Sequence, residues 1–292
     1  MAINGETKIV GILGYPVAHS LSPLMHNAAF AALNLNWAYI PLPVEPERIE
    51  KVTAALRTFK FMGANVTVPH KQAIMRYMDE IDPVAREIGA VNTIAVRDGR
   101  MLGFNTDADG FLQSLLETGF SPRGARCLVL GAGGAARAVV FSLAKAGARA
   151  ISIFNRTVER AAFLVDDISS VYADIRFSCE SLSPQTLDAA NNSFDLVVNT
   201  TSLGMFPQVD TSPWDGDIPL PQAVICDLVY TPIRTKFLQQ AESQGLPTVD
   251  GTGMLIYQGA KAFEIWTGES APVDVLRRTL LSALKTGSQF SD

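Results

Sequence analysis

The stretch Arg126-Cys-Leu-Val-Leu-Gly-Ala-Gly-Gly-Ala-Ala-Arg-Ala-Val-Val140 limits what this chain can fold into more than any other. Cys127 to Leu130 is a short apolar run, the pattern of a strand covered on both faces. Gly131, Gly133 and Ala136 follow as G-x-G-x-x-A. An alanine-rich run without glycine, Ala135 to Ala146, then reads as a helix that Gly147 stops. In that order, strand, glycine turn and helix are the setting in which such a turn cradles a pyrophosphate. Gly131 permits the tight turn and Gly133 lets an anion approach the backbone. The helix start offers free N–H groups and the positive end of the helix dipole. Gly131, Ala132, Gly133, Gly134 and Ala135 are therefore candidate dinucleotide contacts. A tight strand-to-helix turn with no ligand is the alternative, and the next strand decides between them.

Ile151 to Phe154 is that strand. A site for NAD calls for an acidic residue at its end, to accept from the ribose 2′-OH. The chain instead reads Asn155-Arg156-Thr157, with Arg160 one helical turn further on. Two guanidiniums can hold a 2′-phosphate bidentately, which favours NADP over NAD. Solvated charges at a helix start are the alternative reading of the two arginines. Phe194 to Asn199 is a further buried strand, and Thr200, Thr201 and Ser202 at its end are small hydroxyl residues suited to line a cofactor crevice. Ala223 to Tyr230 is another, stopped by Thr231-Pro232. The alternation from about 126 to 231 predicts a parallel, doubly wound sheet.

The preceding part alternates in the same way. Lys8 to Leu13, Tyr39 to Leu42 and Gly63 to Val68 read as strands. Helices are expected from Ser22-Pro23, with Ser22 as cap, from Pro46, and from Pro69-His70-Lys71. Asn92 to Val96 and Met101 to Phe104 flank Asp98-Gly99, a hairpin signal. Thr106 or Asp107 is placed to cap a helix reaching about Thr118, and the loop-rich Gly119 to Gly124 marks a boundary. Beyond Pro232 come a helix near 234–243, a short strand at 247–249, Asp250-Gly-Thr-Gly253, and closing helices at about 254–267 and 272–286. Helices in that last position often return to the first domain.

With 292 residues the chain has room for two domains of ordinary size. A net charge of −5 and no long basic run argue against nucleic acid or an anionic membrane as partner. No apolar segment is long enough to span a bilayer, and Met1 to Lys8 lacks the apolar region of a signal peptide. Cys127, Cys179 and Cys226 are few and scattered, which argues against a disulfide framework and for a reducing cytoplasm. His19, His26 and His70 form no metal-ligand spacing with them, so no metal is expected.

Four short segments of the first part hold polar residues where apolar elements stop: Ser20/Ser22, Asn65/Thr67/Lys71, Asn92 and Asn105/Thr106/Asp107. Converging, they suit a hydroxylated, carboxylated small molecule. Serine hydroxyls at a helix start suit a carboxylate, although Ser22 serves equally as a plain cap. Lys71 can protonate an alkoxide formed by hydride transfer, and Asp107 can hold that ammonium and exchange protons with a neighbouring hydroxyl. A lysine at a helix start opposes the dipole, which favours a functional reading of Lys71. Asp107 serves equally well as a helix cap, and His70 reads as a bystander.

These motifs together resemble the shikimate dehydrogenase family, whose members reduce 3-dehydroshikimate with NADPH in aromatic amino-acid biosynthesis. The likeness runs nearly end to end. It covers Gly14-Tyr-Pro, His19-Ser-Leu-Ser-Pro23, Asn65-Val-Thr-Val-Pro-His-Lys71, Gly89-Ala-Val-Asn-Thr93, Gly103-Phe-Asn-Thr-Asp107, Gly131-Ala-Gly-Gly134, Asn155-Arg-Thr157, Asn199-Thr-Thr-Ser202 and Asp250-Gly-Thr-Gly-Met254. One departure is Thr201, where some members carry alanine or another small residue.

The resemblance implies roles residue by residue. Ser20 and Ser22 would bind the substrate carboxylate. Asn65, Thr67, Asn92, Asp107 and Gln258 would meet the ring hydroxyls, with Tyr230 near the substrate. Lys71 and Asp107 would form the catalytic pair. Asn155, Arg156, Thr157 and Arg160 would hold the 2′-phosphate. Thr200, Thr201, Ser202, Val229, Gly251 and Met254 would lie along the nicotinamide side. The implied fold class is α/β: an N-terminal substrate-binding domain over 1–105, a doubly wound Rossmann NADP-binding domain over 106–235, and a segment over 236–292 whose helices pack back on the first domain. The expectation is a cytoplasmic NADP(H)-dependent oxidoreductase acting on a CH–OH group, a monomer or homodimer. A quinate/shikimate dehydrogenase using NAD, and a non-catalytic NADP-binding sensor, are the competing readings.

Overall fold

Strand and helix alternate from residue 8 onward in the computed structural model, which describes residues 3–190 and 194–286. Strands β1 (Lys8–Gly14), β2 (Trp37–Pro43), β3 (Gly63–Val66), β4 (Glu80–Ile81), β5 (Thr93–Arg97) and β6 (Arg100–Phe104) make one sheet. Helices α1 (Ser22–Ala32), α2 (Ile49–Thr58), α3 (Pro83–Ile88) and α4 (Asp107–Glu117) accompany them. The second sheet holds β7 (Arg126–Leu130), β8 (Ala150–Asn155), β9 (Arg176–Ser181), β10 (Leu196–Asn199), β11 (Val224–Asp227) and β12 (Thr248–Val249). Its helices are α5 (Gly134–Lys145), α6 (Val158–Ser169), α7 (Pro184–Ala189) and α8 (Lys236–Ser243). Helices α9 (Thr252–Thr267) and α10 (Val273–Thr286) close the described chain.

The chain forms two compact units: one runs to Gly110 and resumes at Ile256, and the other spans Phe111–Leu255. The chain passes between them inside α4 and α9, rather than at the expected cuts of 105/106 and 235/236. Residues 236–255 stay with the second unit because β12 pairs in parallel with β11, which extends that sheet by a strand. The loop Gly119–Gly124 lies within the second unit as the link from α4 to β7.

In the first unit the strand order is β2-β1-β3-β5-β6-β4. β1 runs parallel to β2 and β3, whereas β3–β5 and β5–β6 are antiparallel. Asp98 and Gly99 both take positive φ (50° and 75°) in the β5–β6 turn, as an Asp-Gly hairpin requires. Helix α2 buries Ile49, Thr53 and Leu56, one stripe at helical spacing, and Ile49 and Leu56 join the core beneath the sheet with Leu13, Ala64, Ile74 and Ile94. Helix α10 packs on α1, so the closing helices belong to this unit.

Gly63 shows how α9 is held. A Cβ there would lie 2.1 Å from the Ile94 carbonyl oxygen and 2.5 Å from Trp266 Nε1. The missing side chain admits the Trp266 indole of α9, which donates to the Ile94 carbonyl at 2.8 Å. Gly110 does the same between α4 and α9, since a Cβ on it would come within 2.7 Å of the Gln258 backbone nitrogen.

The second unit is the doubly wound sheet expected: every pairing is parallel and the order is β12-β11-β10-β7-β8-β9. β7 and β10 bury nearly every residue, the mark of central strands covered on both faces. The chain leaves β7 on one side for β8 and returns on the other to β10, so their C-terminal ends flank the switch point at which such sheets bind ligands.

Candidate functional site

In the first unit, register builds the site. Asn65 on β3 stands directly opposite Thr93 on β5, so both side chains project from one face. Asn65 Nδ2 donates to Thr93 Oγ1 at 3.1 Å and to the Asn92 carbonyl at 3.3 Å, while its Oδ1 accepts from the Tyr39 hydroxyl at 2.8 Å. Asn92 Nδ2 donates to Thr106 Oγ1 at 2.9 Å and to Asp107 Oδ1 at 2.8 Å. Its Oδ1 accepts from the Thr106 backbone N–H at 2.7 Å and from the Thr93 hydroxyl at 3.0 Å. Lys71 Nζ donates to Asp107 Oδ2 at 2.6 Å, with the two side chains 15% and 6% exposed. Strand ends far apart in the chain thus converge on one lysine–carboxylate pair.

Two local expectations need correction. Lys71 does not begin a helix: it lies in a turn at 71–72, and the helix that follows is a short 3₁₀ segment, Ala73–Tyr77. Lys71 therefore faces no helix dipole of its own, and its role rests on the ion pair. Ser22 is not the cap of α1 but its first residue. Leu21 takes the cap position, with no side-chain bond to the helix start, and the Ser22 backbone N–H donates to Ser20 Oγ at 3.3 Å. At the start of α4, Thr106 holds the position directly before the first helical residue, Asp107. Asn105 Oδ1 accepts from the backbone N–H groups of Asp107 and Ala108 at 3.0 and 3.3 Å, while the Asp107 carboxylate meets Lys71 and Asn92.

The remaining residues of this unit sit as follows. Thr67 is half-buried after β3, and Gly14 gives it room, since a Cβ at 14 would lie 2.4 Å from the Thr67 methyl. Gln258 is buried on α9 beside Gly110. His70, buried with Nε2 2.7 Å from the Val44 carbonyl, serves the frame. Sequence reasoning passes over Tyr39 and Thr93. Each is an ordinary strand residue until pairing sets it against Asn65.

The second unit carries the dinucleotide turn. Gly131 has φ +109°, and a Cβ on it would lie 2.6 Å from Thr200 Oγ1, so only glycine fits. A Cβ on Gly133 would meet nothing within 4 Å, leaving open space over the backbone. Gly133 caps α5 with no side-chain bond, so first-turn N–H groups face that space. Ala132, Gly134 and Ala135 are partly exposed around it. These features fit a pyrophosphate.

At the end of β8, Asn155 Nδ2 donates to the Thr157 carbonyl at 2.8 Å, and Thr157 takes the cap of α6 without spending its hydroxyl there. Arg156 and Arg160 are exposed, and no carboxylate bridges either among the described residues. Glu159 is the acid of that first turn. Two guanidiniums free of carboxylates at a helix start fit a 2′-phosphate.

Thr200 donates its hydroxyl to the Leu130 carbonyl at 2.7 Å, tying β10's end to β7's. Thr201 donates backbone N–H and hydroxyl to Asn199 Oδ1 at 2.9 and 2.7 Å, and Ser202 is exposed beside them. Val229 is buried, Tyr230 half-buried. Gly251, before α9, admits no side chain because a Cβ would lie 2.2 Å from the Leu228 carbonyl oxygen; Met254 is buried on the first turn of α9. Burial pushes the Cys127 thiol up to about 12 and raises that of Cys226, so both stay neutral apolar fillers of β7 and β11. Among the described residues no helix is long and apolar enough to cross a membrane, and no cluster of His, Cys, Asp or Glu could hold a metal.

Comparison with known proteins agrees with this geometry. Residues 12–94 match the shikimate dehydrogenase substrate binding domain, 114–203 the shikimate/quinate 5-dehydrogenase family, and 251–281 the shikimate 5′-dehydrogenase C-terminal domain. The chain is 48% identical over 288 residues to the NADP(+) shikimate dehydrogenase of Moorella thermoacetica, covering 98% of this chain and 97% of the relative. Among solved structures, it is similar to a shikimate dehydrogenase in complex with NADP+ (TM-score 0.89, 40% identity, 97% and 98% of the two chains). It is also similar to the Thermus thermophilus enzyme in complex with NADP(H) and shikimate (TM-score 0.84, 37% identity, 95% and 100% covered). Matched along its length by these domain families and by relatives well above 30% identity, the chain belongs to the shikimate dehydrogenase family.

Proposed function

We propose that this chain catalyses the reversible NADPH-dependent reduction of 3-dehydroshikimate to shikimate, in aromatic amino-acid biosynthesis. The observation that carries the reading is the Lys71–Asp107 pair: a 2.6 Å ion pair, largely withdrawn from water, with Asp107 fixed on its other oxygen by Asn92. An ammonium held this way keeps N–H donors to spare for a substrate oxygen. NADPH, when bound, supplies the hydride. Lys71 gives a proton to the C3 oxygen as that carbonyl becomes an alcohol, and Asp107 holds the ammonium in line and exchanges a proton with the adjacent hydroxyl.

Other assignments follow from placement. Ser20 and Ser22 take the substrate carboxylate at the uncapped start of α1. Asn65, Thr67, Asn92 and Gln258 position the ring hydroxyls, and Tyr230 borders the substrate. Gly131 to Ala135 hold the pyrophosphate, and Asn155, Arg156, Thr157 and Arg160 the 2′-phosphate. Thr200, Thr201, Ser202, Val229, Gly251 and Met254 border the nicotinamide. The first unit thus carries the catalytic pair and the second the dinucleotide residues. The three free cysteines suit a reducing cytoplasm, and the net charge of −5 disfavours nucleic acid and anionic membrane as partners of this monomer or homodimer.

A matrix of two cofactors against two substrates tests the reading. NADPH with 3-dehydroshikimate should give the highest kcat/KM. Equal or faster turnover of quinate with NAD would replace it with the quinate reading, and nucleotide binding without turnover would leave a sensor.

A further inference from the structure

The second unit buries a carboxylate that the reaction does not use. Asp227 ends β11, and strand register sets it beside Asn199 at the end of β10, which in turn stands beside Leu130, the residue before the glycine turn. Asp227 and Asn199 are wholly buried. Three donors from three segments meet the carboxylate. Asn199 Nδ2 donates to Oδ1 at 2.8 Å, the Val229 backbone N–H to Oδ1 at 3.0 Å, and the Thr235 hydroxyl to Oδ2 at 2.7 Å. Even with these bonds, burial pushes the Asp227 carboxyl up to about 6. An acid is a costly way to fill such a position if filling it were the only requirement.

What a carboxylate adds is polarity. Ionised, it only accepts, so the Asn199 amide must turn its NH₂ toward Asp227. The Asn199 carbonyl oxygen then faces the other way and accepts from both the backbone N–H and the hydroxyl of Thr201. Thr201 Oγ1 accepts in turn from the Leu203 backbone N–H at 3.1 Å. Through Asn199 the carboxylate orders residues 199–203, and through Val229 and Thr235 it anchors the segment 228–235. An amide at 227 carries no charge: its oxygen accepts more weakly from Asn199 and Val229, and its NH₂ meets Thr235 in place of an accepting oxygen, so the hold on both segments loosens.

We propose that Asp227 is a positioning residue for the nicotinamide end of the dinucleotide site, acting through Asn199 on Thr200–Ser202 and directly on Val229. This rests on the reading that those residues border the nicotinamide. Neither the glycine turn nor the Arg156/Arg160 pair hydrogen-bonds to Asp227, so the anchoring of the adenosine end is independent of it.

The experiment compares the whole chain with Asp227→Asn and Asn199→Ser. The dissociation constant of NADPH is read from nicotinamide fluorescence. That of adenosine 2′,5′-bisphosphate, which engages only the adenosine end, comes from calorimetry. Steady-state turnover is measured with 3-dehydroshikimate and NADPH deuterated at the transferred position. Both variants should bind the bisphosphate within about twofold of wild type, weaken NADPH less than about tenfold, and lose about ten- to a hundredfold in kcat, the scale of an ångström's misplacement at a reacting centre. The isotope effect on kcat should rise as hydride transfer becomes slower. Wild-type kcat in both variants overturns the proposal, as does a parallel loss of bisphosphate and NADPH affinity. Should Asp227→Asn not fold, Asn199→Ser, which cuts only the tie to 199–203, decides alone. A wild-type chain that binds no NADPH sinks the underlying reading instead.

Discussion

Lys71 Nζ and Asp107 Oδ2 lie 2.6 Å apart, and the second carboxylate oxygen is held by Asn92 at 2.8 Å. The carboxylate is thus pinned on both sides, and the ammonium inherits its position. Lys71→Ala removes the proton donor but leaves Asn65, Asn92 and Thr93 bonded to one another. Turnover should fall about 10²- to 10⁴-fold, the usual worth of a positioned acid, while the substrate dissociation constant rises far less. Stopped-flow reduction with calorimetric binding checks this. A variant with near-normal kcat would remove Lys71 from the chemistry.

Cofactor choice should depend on Arg156. It is exposed, without a carboxylate partner among the described residues, at the end of β8 beside the cap of α6. A charge-assisted bond to a phosphate contributes about 1.5–3 kcal/mol, so Arg156→Ala should raise KM for NADPH roughly ten- to a hundredfold. KM for NADH, which has no 2′-phosphate, should move little. Equal effects on both cofactors would show that the guanidinium does not read the phosphate.

Much of this is legible in the chain alone, for physical reasons that particular residues make plain. The second sheet announces itself because its central strands are buried on both faces and read as apolar runs, and because the Gly131 turn admits nothing else. The polar cluster is legible only as separate strand ends. That Thr93 bridges Asn65 and Asn92 follows from antiparallel register, which a one-residue slip would undo. Spacing alone leaves the start of α4 open for a related reason: Asn105, Thr106 and Asp107 all carry suitable side chains, and tertiary partners take the Asp107 carboxylate. Lys71 reads as helical because Pro69 resembles a helix start, but the chain turns there and delays its short helix to Ala73.

Gly63→Ala tests the seating of α9. The added carbon would lie 2.1 Å from the Ile94 carbonyl oxygen and 2.5 Å from Trp266 Nε1, so either β3 or the indole must move. Overpacking of this kind costs about 1–3 kcal/mol, and breaking the Trp266–Ile94 bond about 1 kcal/mol more. Urea denaturation followed by tryptophan fluorescence should show the loss. Unchanged stability would mean that the indole has another place to sit.

Asp227 should make the second unit less stable as pH rises. Its folded carboxyl titrates at about 6, above the ordinary 3.8, so the folded state holds the proton more tightly between those values. Stability from this group is present below about pH 4 and lost as pH rises through 6, at about 1.4 kcal/mol for each pH step of one across that window. Asp227→Asn should abolish that slope and match or exceed wild type in stability at pH 7. A variant less stable than wild type at pH 7, with the slope intact, would place the burden elsewhere.

His26 should tilt the first unit in the opposite sense. The ring is fully buried, stacked on Tyr39 with centroids 4.5 Å apart and planes 3° apart, and tilted against Trp266 at 5.3 Å. Neither ring nitrogen has a hydrogen-bond partner among the described residues, and burial pushes its pKa down from 6.5 to about 3. The folded state therefore keeps the imidazole neutral while the unfolded chain protonates it below 6.5. Its contribution is undiminished above pH 6.5 and falls by about 1.4 kcal/mol for each pH step of one below that, roughly 2–3 kcal/mol by pH 4.5. Acidification should reach the reaction through this ring as well, since His26 supports Tyr39, whose hydroxyl fixes Asn65 at 2.8 Å. His26→Leu has no proton to gain, so the gap in unfolding free energy between it and wild type should shift in the variant's favour by that amount between pH 7 and 4.5. A gap that stays constant across the range would mean that the imidazole finds a partner or water on protonation, and that the aromatic stack tolerates charge.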